Sequence, residues 1–148
     1  MLADLFYSYK DISIFFNLFG YISFRAGIAL SFSFLFVFLL MPKWIYIQIK
    51  YLPKGQPIRS DGPSGHFVKE GTPALGGVLM IISVVLSTIF WTSGFSKFNY
   101  IVMFSLILFG LLGFVDDYLK IKLRKGISTK IKFFFQIIIT FFLLFLVN

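Results

Sequence analysis

The sequence predicts an all-α integral membrane protein of about four transmembrane helices, and three observations lead there. The chain of 148 residues is 58% hydrophobic and 14% charged, with a mean hydropathy of +0.89 and 22 phenylalanines. A soluble core of this size cannot hide so much apolar surface, whereas lipid accepts it. The apolar residues fall into four runs of near-spanning length. The basic residues are segregated: eleven of the 14 lie at 43–69 or 118–132, between the runs. By the positive-inside rule both segments are cytoplasmic and both termini face the outer side.

The elements follow in order within one membrane domain, 1–148. Residues 1–20 mix aromatics with Asp4, Lys10 and Asp11 and lack the basic n-region of a secretory signal, which predicts an interfacial segment. The first span is expected at about 21–42, with Arg25 snorkelling to the interface and Trp44 and Tyr46 suiting an aromatic belt. A loop at 43–72 follows. Its stretch KYLPKGQPIRSDGPSGHFVKEGT carries three prolines and four glycines, which preclude a regular helix. Its length marks it as a functional candidate. The second span is expected at about 73–94, with Gly76 and Gly77 allowing close backbone approach in its first turns. The third is placed at 98–117, with Gly110 and Gly113 as packing residues. A second basic loop covers 118–130, and a Phe-rich fourth span covers 131–148. The apolar part of that last run is only about 22 Å long, short of a core of about 30 Å. This reads as a chain interrupted in or just after its fourth helix.

Composition excludes several function classes. With no cysteine there are no disulfides, Cys-ligated zinc or thiol chemistry. The formal charge of +8 sits beside apolar runs and not on an aromatic-interleaved face, which argues against nucleic-acid binding. His66, the sole histidine, has no neighbours that complete a metal set.

The chain is organised around GLLGFVDDYLKIKLRK (110–125), where an uncharged helix meets Asp116 and Asp117 and then a basic cluster. The chain has only six acids, and ionisable groups at the end of a membrane helix are functional candidates. Helical neighbours point about 100° apart, so the two carboxylates cannot face one partner squarely. Lys120, four residues after one and three after the other, can pair with either. A helix-end salt-bridge cluster accounts for this pattern equally well. The functional alternative is that two carboxylates raise each other's proton affinity, or hold Mg²⁺ together with substrate phosphates. Nearby Lys and Arg would attract those phosphates. Phosphoryl transfer fits better than transport, which favours acids nearer mid-membrane and broken helices.

FRAG (24–27), PIRSDGPSGHFVKEGTPALGG (57–77), GLLGFVDDYLK (110–120) and KGISTKIKFFFQ (125–136) together resemble the phospho-N-acetylmuramoyl-pentapeptide transferases, in order and spacing. The resemblance implies the N-terminal portion of a ten-helix, multi-pass enzyme of the bacterial cytoplasmic (inner) membrane. Such an enzyme moves phospho-MurNAc-pentapeptide from its UDP carrier to undecaprenyl phosphate with Mg²⁺. The products, lipid I and UMP, belong to peptidoglycan synthesis and so to cell shape and division. The resemblance leaves room for a homodimer. It places Asp116 and Asp117 on the family's catalytic acidic pair, one of them proposed to deprotonate the lipid phosphate, with Asp117 a candidate metal ligand. It places Lys69, Thr72, Lys120 and Lys132 at the substrate and its phosphates. Two departures stand out. Ala74 replaces the usual threonine of the GTPTMGG string, at the nucleotide-sugar pocket. The third, metal-associated Asp and a His-rich loop are absent after Asp117 and His66, so the chain alone is expected to be inactive. The competing expectations are a non-catalytic truncated membrane protein and a related polyprenyl-phosphate transferase for another sugar phosphate.

Overall fold

The computed structural model describes residues 1–52, 55 and 72–147, and helix is the regular secondary structure found among them. In lipid a backbone must satisfy its own hydrogen bonds, and the helix does so within one segment. The elements are α1 (Leu2–Ser8), α2 (Ile14–Asn17), a 3₁₀ turn (Leu18–Gly20), α3 (Ile22–Tyr51), α4 (Gly76–Trp91), α5 (Lys97–Leu123) and α6 (Thr129–Val147). Helices α3, α5 and α6 are long and apolar enough to cross a membrane. Helix α4 is apolar but has 16 residues, about 24 Å. The chain is therefore an all-α membrane protein, with three long apolar helices and one shorter among the described residues.

Two helices run further than hydropathy suggests. Helix α3 passes through Pro42 and continues to Tyr51, so 43–51, expected as loop, is helical. A mid-helix proline removes one hydrogen bond and crowds the preceding turn. Here the helix beyond it is anchored by its own side chains: the Trp44 indole N–H donates to the Leu75 carbonyl (2.9 Å), and the Gln48 amide oxygen accepts from the Leu75 N–H (3.0 Å). Both backbone groups of Leu75, the residue before α4, are thus held from α3. Helix α5 likewise continues past the expected span end at 117 to Leu123, with Ser96 capping its start and Arg124 closing it in a left-handed conformation (φ 57°).

Packing follows chain order: α3 lies on α4, α4 on α5, and α5 on α6. Between α3 and α4 runs a seam of small polar groups. Ser33 and Ser83 meet hydroxyl to hydroxyl at 3.1 Å, and Ser87 donates to the Ala29 carbonyl at 2.7 Å. Small residues let membrane helices approach closely, and hydroxyls link them. Gly110 serves the same end between α4 and α5, since a Cβ there would lie 2.3 Å from Ile81 Cδ1. Gly77 and Gly113 have nothing within 4 Å of such a Cβ, and Gly76 meets only Met41 at 4.0 Å. No close approach therefore accounts for these three among the described residues. Many of the phenylalanines face outward, as Phe34 (65% exposed) and Phe145 (79%) show, which suits acyl chains as solvent. Segments 1–20 fold over one end of the bundle, where Phe6 and Phe19 stack on Trp91.

Candidate functional site

The acidic pair sits near the C-terminal end of α5, at the end of the bundle where α3 ends and α4 and α6 begin. The two carboxylates differ sharply in environment. Asp116 is 4% exposed. Its Oδ1 accepts from the Ile127 N–H at 2.9 Å, and its Oδ2 receives both Lys120 (2.8 Å) and Lys132 (2.9 Å). Asp117 has its side chain 37% exposed and its Oδ1 paired with Lys120 at 3.1 Å. One lysine therefore bridges both acids. The 100° divergence bars a face-on pair, but a residue three and four positions on reaches between them.

Local sequence explains the wrapping of Asp116. After Arg124 the chain doubles back, and Ser128 caps α6 by accepting from the Ile131 N–H (3.4 Å) while its carbonyl takes the Lys132 N–H (2.9 Å). That sets Lys132 one turn into α6, against the acid. Gly126 is required by the close approach. A Cβ there would lie 2.6 Å from Asp116 Oδ1 and 2.9 Å from Lys120 Cε. Neither Gly126 nor the Ile127 amide stood out in the sequence; the available signal was a glycine just past a helix end, facing an acid ten residues earlier.

Of the expected site residues, Asp116, Asp117, Lys120 and Lys132 form one cluster. Thr72 is exposed, three residues before Leu75. Its neighbours Pro73 and Ala74 line a small cavity with Gln48 and Ile121, and Ile121 is one turn beyond Asp117. The start of α4 therefore converges on the acidic end of α5. Ala74 is half-buried there. Lys69, Arg59 and His66 lie outside the described residues.

The donor set allows a limited test for a divalent cation. Among the described residues no three His, Cys, Asp or Glu side chains gather as a metal group. Asp116 has both oxygens engaged, whereas Asp117 Oδ2 makes no hydrogen bond or ion pair with a described residue. Mg²⁺ is commonly held by one or two carboxylates plus substrate phosphates and water, and Asp117 can supply one of these. The cluster as a whole carries two acids and two lysines, so its charges balance, and Lys122 and Lys125 add positive charge beside it.

No family model matches the chain. Individual relatives do. It is 40% identical over 94% of its length to the phospho-N-acetylmuramoyl-pentapeptide-transferase of Thermodesulfovibrio yellowstonii, and 42% identical over 83% to that of Ruegeria pomeroyi. It is 37% identical over 94% to the same-named enzyme of Citrifermentans bemidjiense. The chain spans 35–39% of the length of these relatives. The resemblance read from its motifs therefore stands: the chain is related to these transferases along nearly its whole length.

Proposed function

We propose that this chain, a relative of the phospho-N-acetylmuramoyl-pentapeptide transferases, forms the acidic part of such an active site. In this reading it serves transfer of phospho-MurNAc-pentapeptide from UDP-MurNAc-pentapeptide to undecaprenyl phosphate. The products are lipid I and UMP, made at the cytoplasmic face of a bacterial inner membrane, where the positive-inside rule puts both basic segments. The observation that carries the reading is the division within the acidic pair. Asp116 is buried under three hydrogen-bond donors, while Asp117 stands half-exposed on the same turn.

In this reading Asp116 holds α5 to the start of α6 and keeps Lys120 and Lys132 in place. Asp117 meets the substrate: its outer oxygen takes the proton of the lipid phosphate or one position on Mg²⁺. The metal, when bound, would neutralise the pyrophosphate being broken. Lys120 and Lys132 orient phosphate oxygens beside their acids, and Thr72 and Lys69 bring the donor from the segment before α4. Since Asp117 alone within this cluster has a carboxylate oxygen left for a metal, the 148-residue chain by itself is expected not to turn over.

The experiment exchanges this chain for the aligned segment of the Thermodesulfovibrio yellowstonii transferase and measures lipid-linked product in membranes. The chimera is expected to form lipid I. Asp117→Asn within it should reduce turnover by about 10²-fold or more, the usual scale for a lost acid–base group. A folded chimera without activity, or one whose turnover survives Asp117→Asn, contradicts the reading. Lipid I formed by the 148-residue chain alone would refute the expected inactivity.

A further inference from the structure

Besides Asp116, one polar side chain is buried at the acidic end of the bundle among the described residues: Gln48 of α3, 5% exposed. We propose that Gln48, assisted by Trp44, is a positioning residue for the transfer. It holds residues 72–75 against the acidic end of α5 and so sets how well the nucleotide-sugar donor binds. This deepens the transferase reading and rests on it.

Leu75 occupies the N-cap position of α4, where Ser, Thr, Asn or Asp would accept from the first turn, and no side chain caps the helix there. Helix α3 supplies the fixing instead. Met41, Trp44 and Gln48 follow one another at spacings of three and four, on one stripe of α3. They address consecutive residues at the start of α4. Met41 Cε stands 4.0 Å from where a Cβ on Gly76 would lie, the Trp44 indole donates to the Leu75 carbonyl, and the Gln48 amide oxygen accepts from the Leu75 N–H. Leu75 is 6% exposed. A buried N–H that loses its acceptor is costly, so the two bonds select one backbone position.

The tie reaches the acidic end through Pro73 and Ala74. With Gln48, Leu52 and Ile121 these residues line a cavity of about 10 Å³, room for at most one water. Ile121 is 3% exposed and lies one turn past Asp117. No substrate group fits between them, so Gln48 acts through the segment and not by contact. Thr72, next along the chain, is exposed and in the transferase reading meets the donor. Its place relative to Asp117 is therefore set by a bond that spans 27 residues of sequence. Without that bond only a fraction of molecules hold the segment in place, which raises the apparent dissociation constant by the inverse of that fraction. Saturating donor draws the segment back, so turnover at saturation is kept. The lipid phosphate, met by Asp117 on α5, is unaffected.

Initial rates of the chimera with the Thermodesulfovibrio yellowstonii transferase give kcat and a KM for each substrate. Gln48→Met, close in shape but without the amide acceptor, should raise the UDP-MurNAc-pentapeptide KM about tenfold while kcat stays within about twofold. The undecaprenyl phosphate KM should hold. Gln48→Glu, which restores an acceptor, should bring the donor KM back to within about threefold of the parent. An unchanged donor KM, a fall in kcat alone, or an equal rise in both KM values overturns the proposal. If Gln48→Met loses helical circular dichroism, Trp44→Phe, which removes the second bond, is judged by the same criteria. A folded chimera without activity contradicts the transferase reading instead, and the placement is then read in the 148-residue chain itself. Spin labels on Thr72→Cys and on Leu123→Cys, an exposed position at the end of α5, are unique in this cysteine-free chain. They should give a narrow distance distribution that broadens in Gln48→Met and narrows again in Gln48→Glu. A distribution indifferent to Gln48→Met overturns the placement.

Discussion

If Asp116 is a tie and Asp117 a reagent, neutralising each should have unequal local consequences. Asp116→Asn keeps an amide oxygen for the Ile127 N–H but removes the charge that faces two ammonium groups. Breaking a buried ion pair from one side costs about 3–5 kcal/mol. Here the lysine partners are 34% and 37% exposed, so water takes up part of their charge. The cost comes down to about 2 kcal/mol. Asp117 is 37% exposed and shares its one lysine with Asp116, so Asp117→Asn should cost about 0.5 kcal/mol. Amide hydrogen exchange over 124–132 reads the difference where it arises. A 2 kcal/mol loss raises local opening about 30-fold, and 0.5 kcal/mol raises it only about twofold. Mass spectrometry of the peptide containing Ile127 in detergent-solubilised chain is sufficient. Equal acceleration by both substitutions, or unchanged protection in Asp116→Asn, would show that the two carboxylates are not divided as described.

Three further perturbations address the rest of the design. Gly126→Ala puts a methyl 2.6 Å from Asp116 Oδ1 and should cost about 1–3 kcal/mol as the ion cluster shifts; exchange at Ile127 as slow as in the parent would contradict this. Gln48→Leu strands the buried Leu75 N–H, a loss of about 1–3 kcal/mol. A spin label on Thr72→Cys, unique in this cysteine-free chain, should then become more mobile, whereas Gln48→Glu, which keeps an acceptor, should leave it ordered. At the other end, the Ser93 hydroxyl and then the N-terminal ammonium hold the Asp4 carboxyl below its ordinary value of 3.8. A depressed carboxylate pKa means the contribution is full above 3.8 and fades as pH falls through the folded value. Packing of α1 on Trp91 should thus be flat in pH from neutral to about 4 and loosen only below; Trp91 emission that shifts between pH 7 and 5 would count against it.

Much of this protein was legible in its sequence because lipid imposes simple rules. Uncharged runs of near-spanning length become helices since no other segment satisfies its backbone there, and α3, α5 and α6 follow. The pairing of Lys120 with the acids followed from helical spacing alone, and the prominence of Asp116 and Asp117 from the scarcity of acids and their place at the end of an uncharged run. Local pattern is blind where a group depends on a distant one. Nothing in hydropathy says that α3 continues through Pro42 so that Trp44 and Gln48 can hold Leu75, because that partner lies 27 to 31 residues away. Likewise two adjacent aspartates read as equivalent on paper. Only the return of the chain at Gly126, which places the Ile127 amide and Lys132 on one of them, buries Asp116 and leaves Asp117 half-exposed. Short-range periodicity decides which segments are helical, and packing between segments decides which polar atoms are left to act.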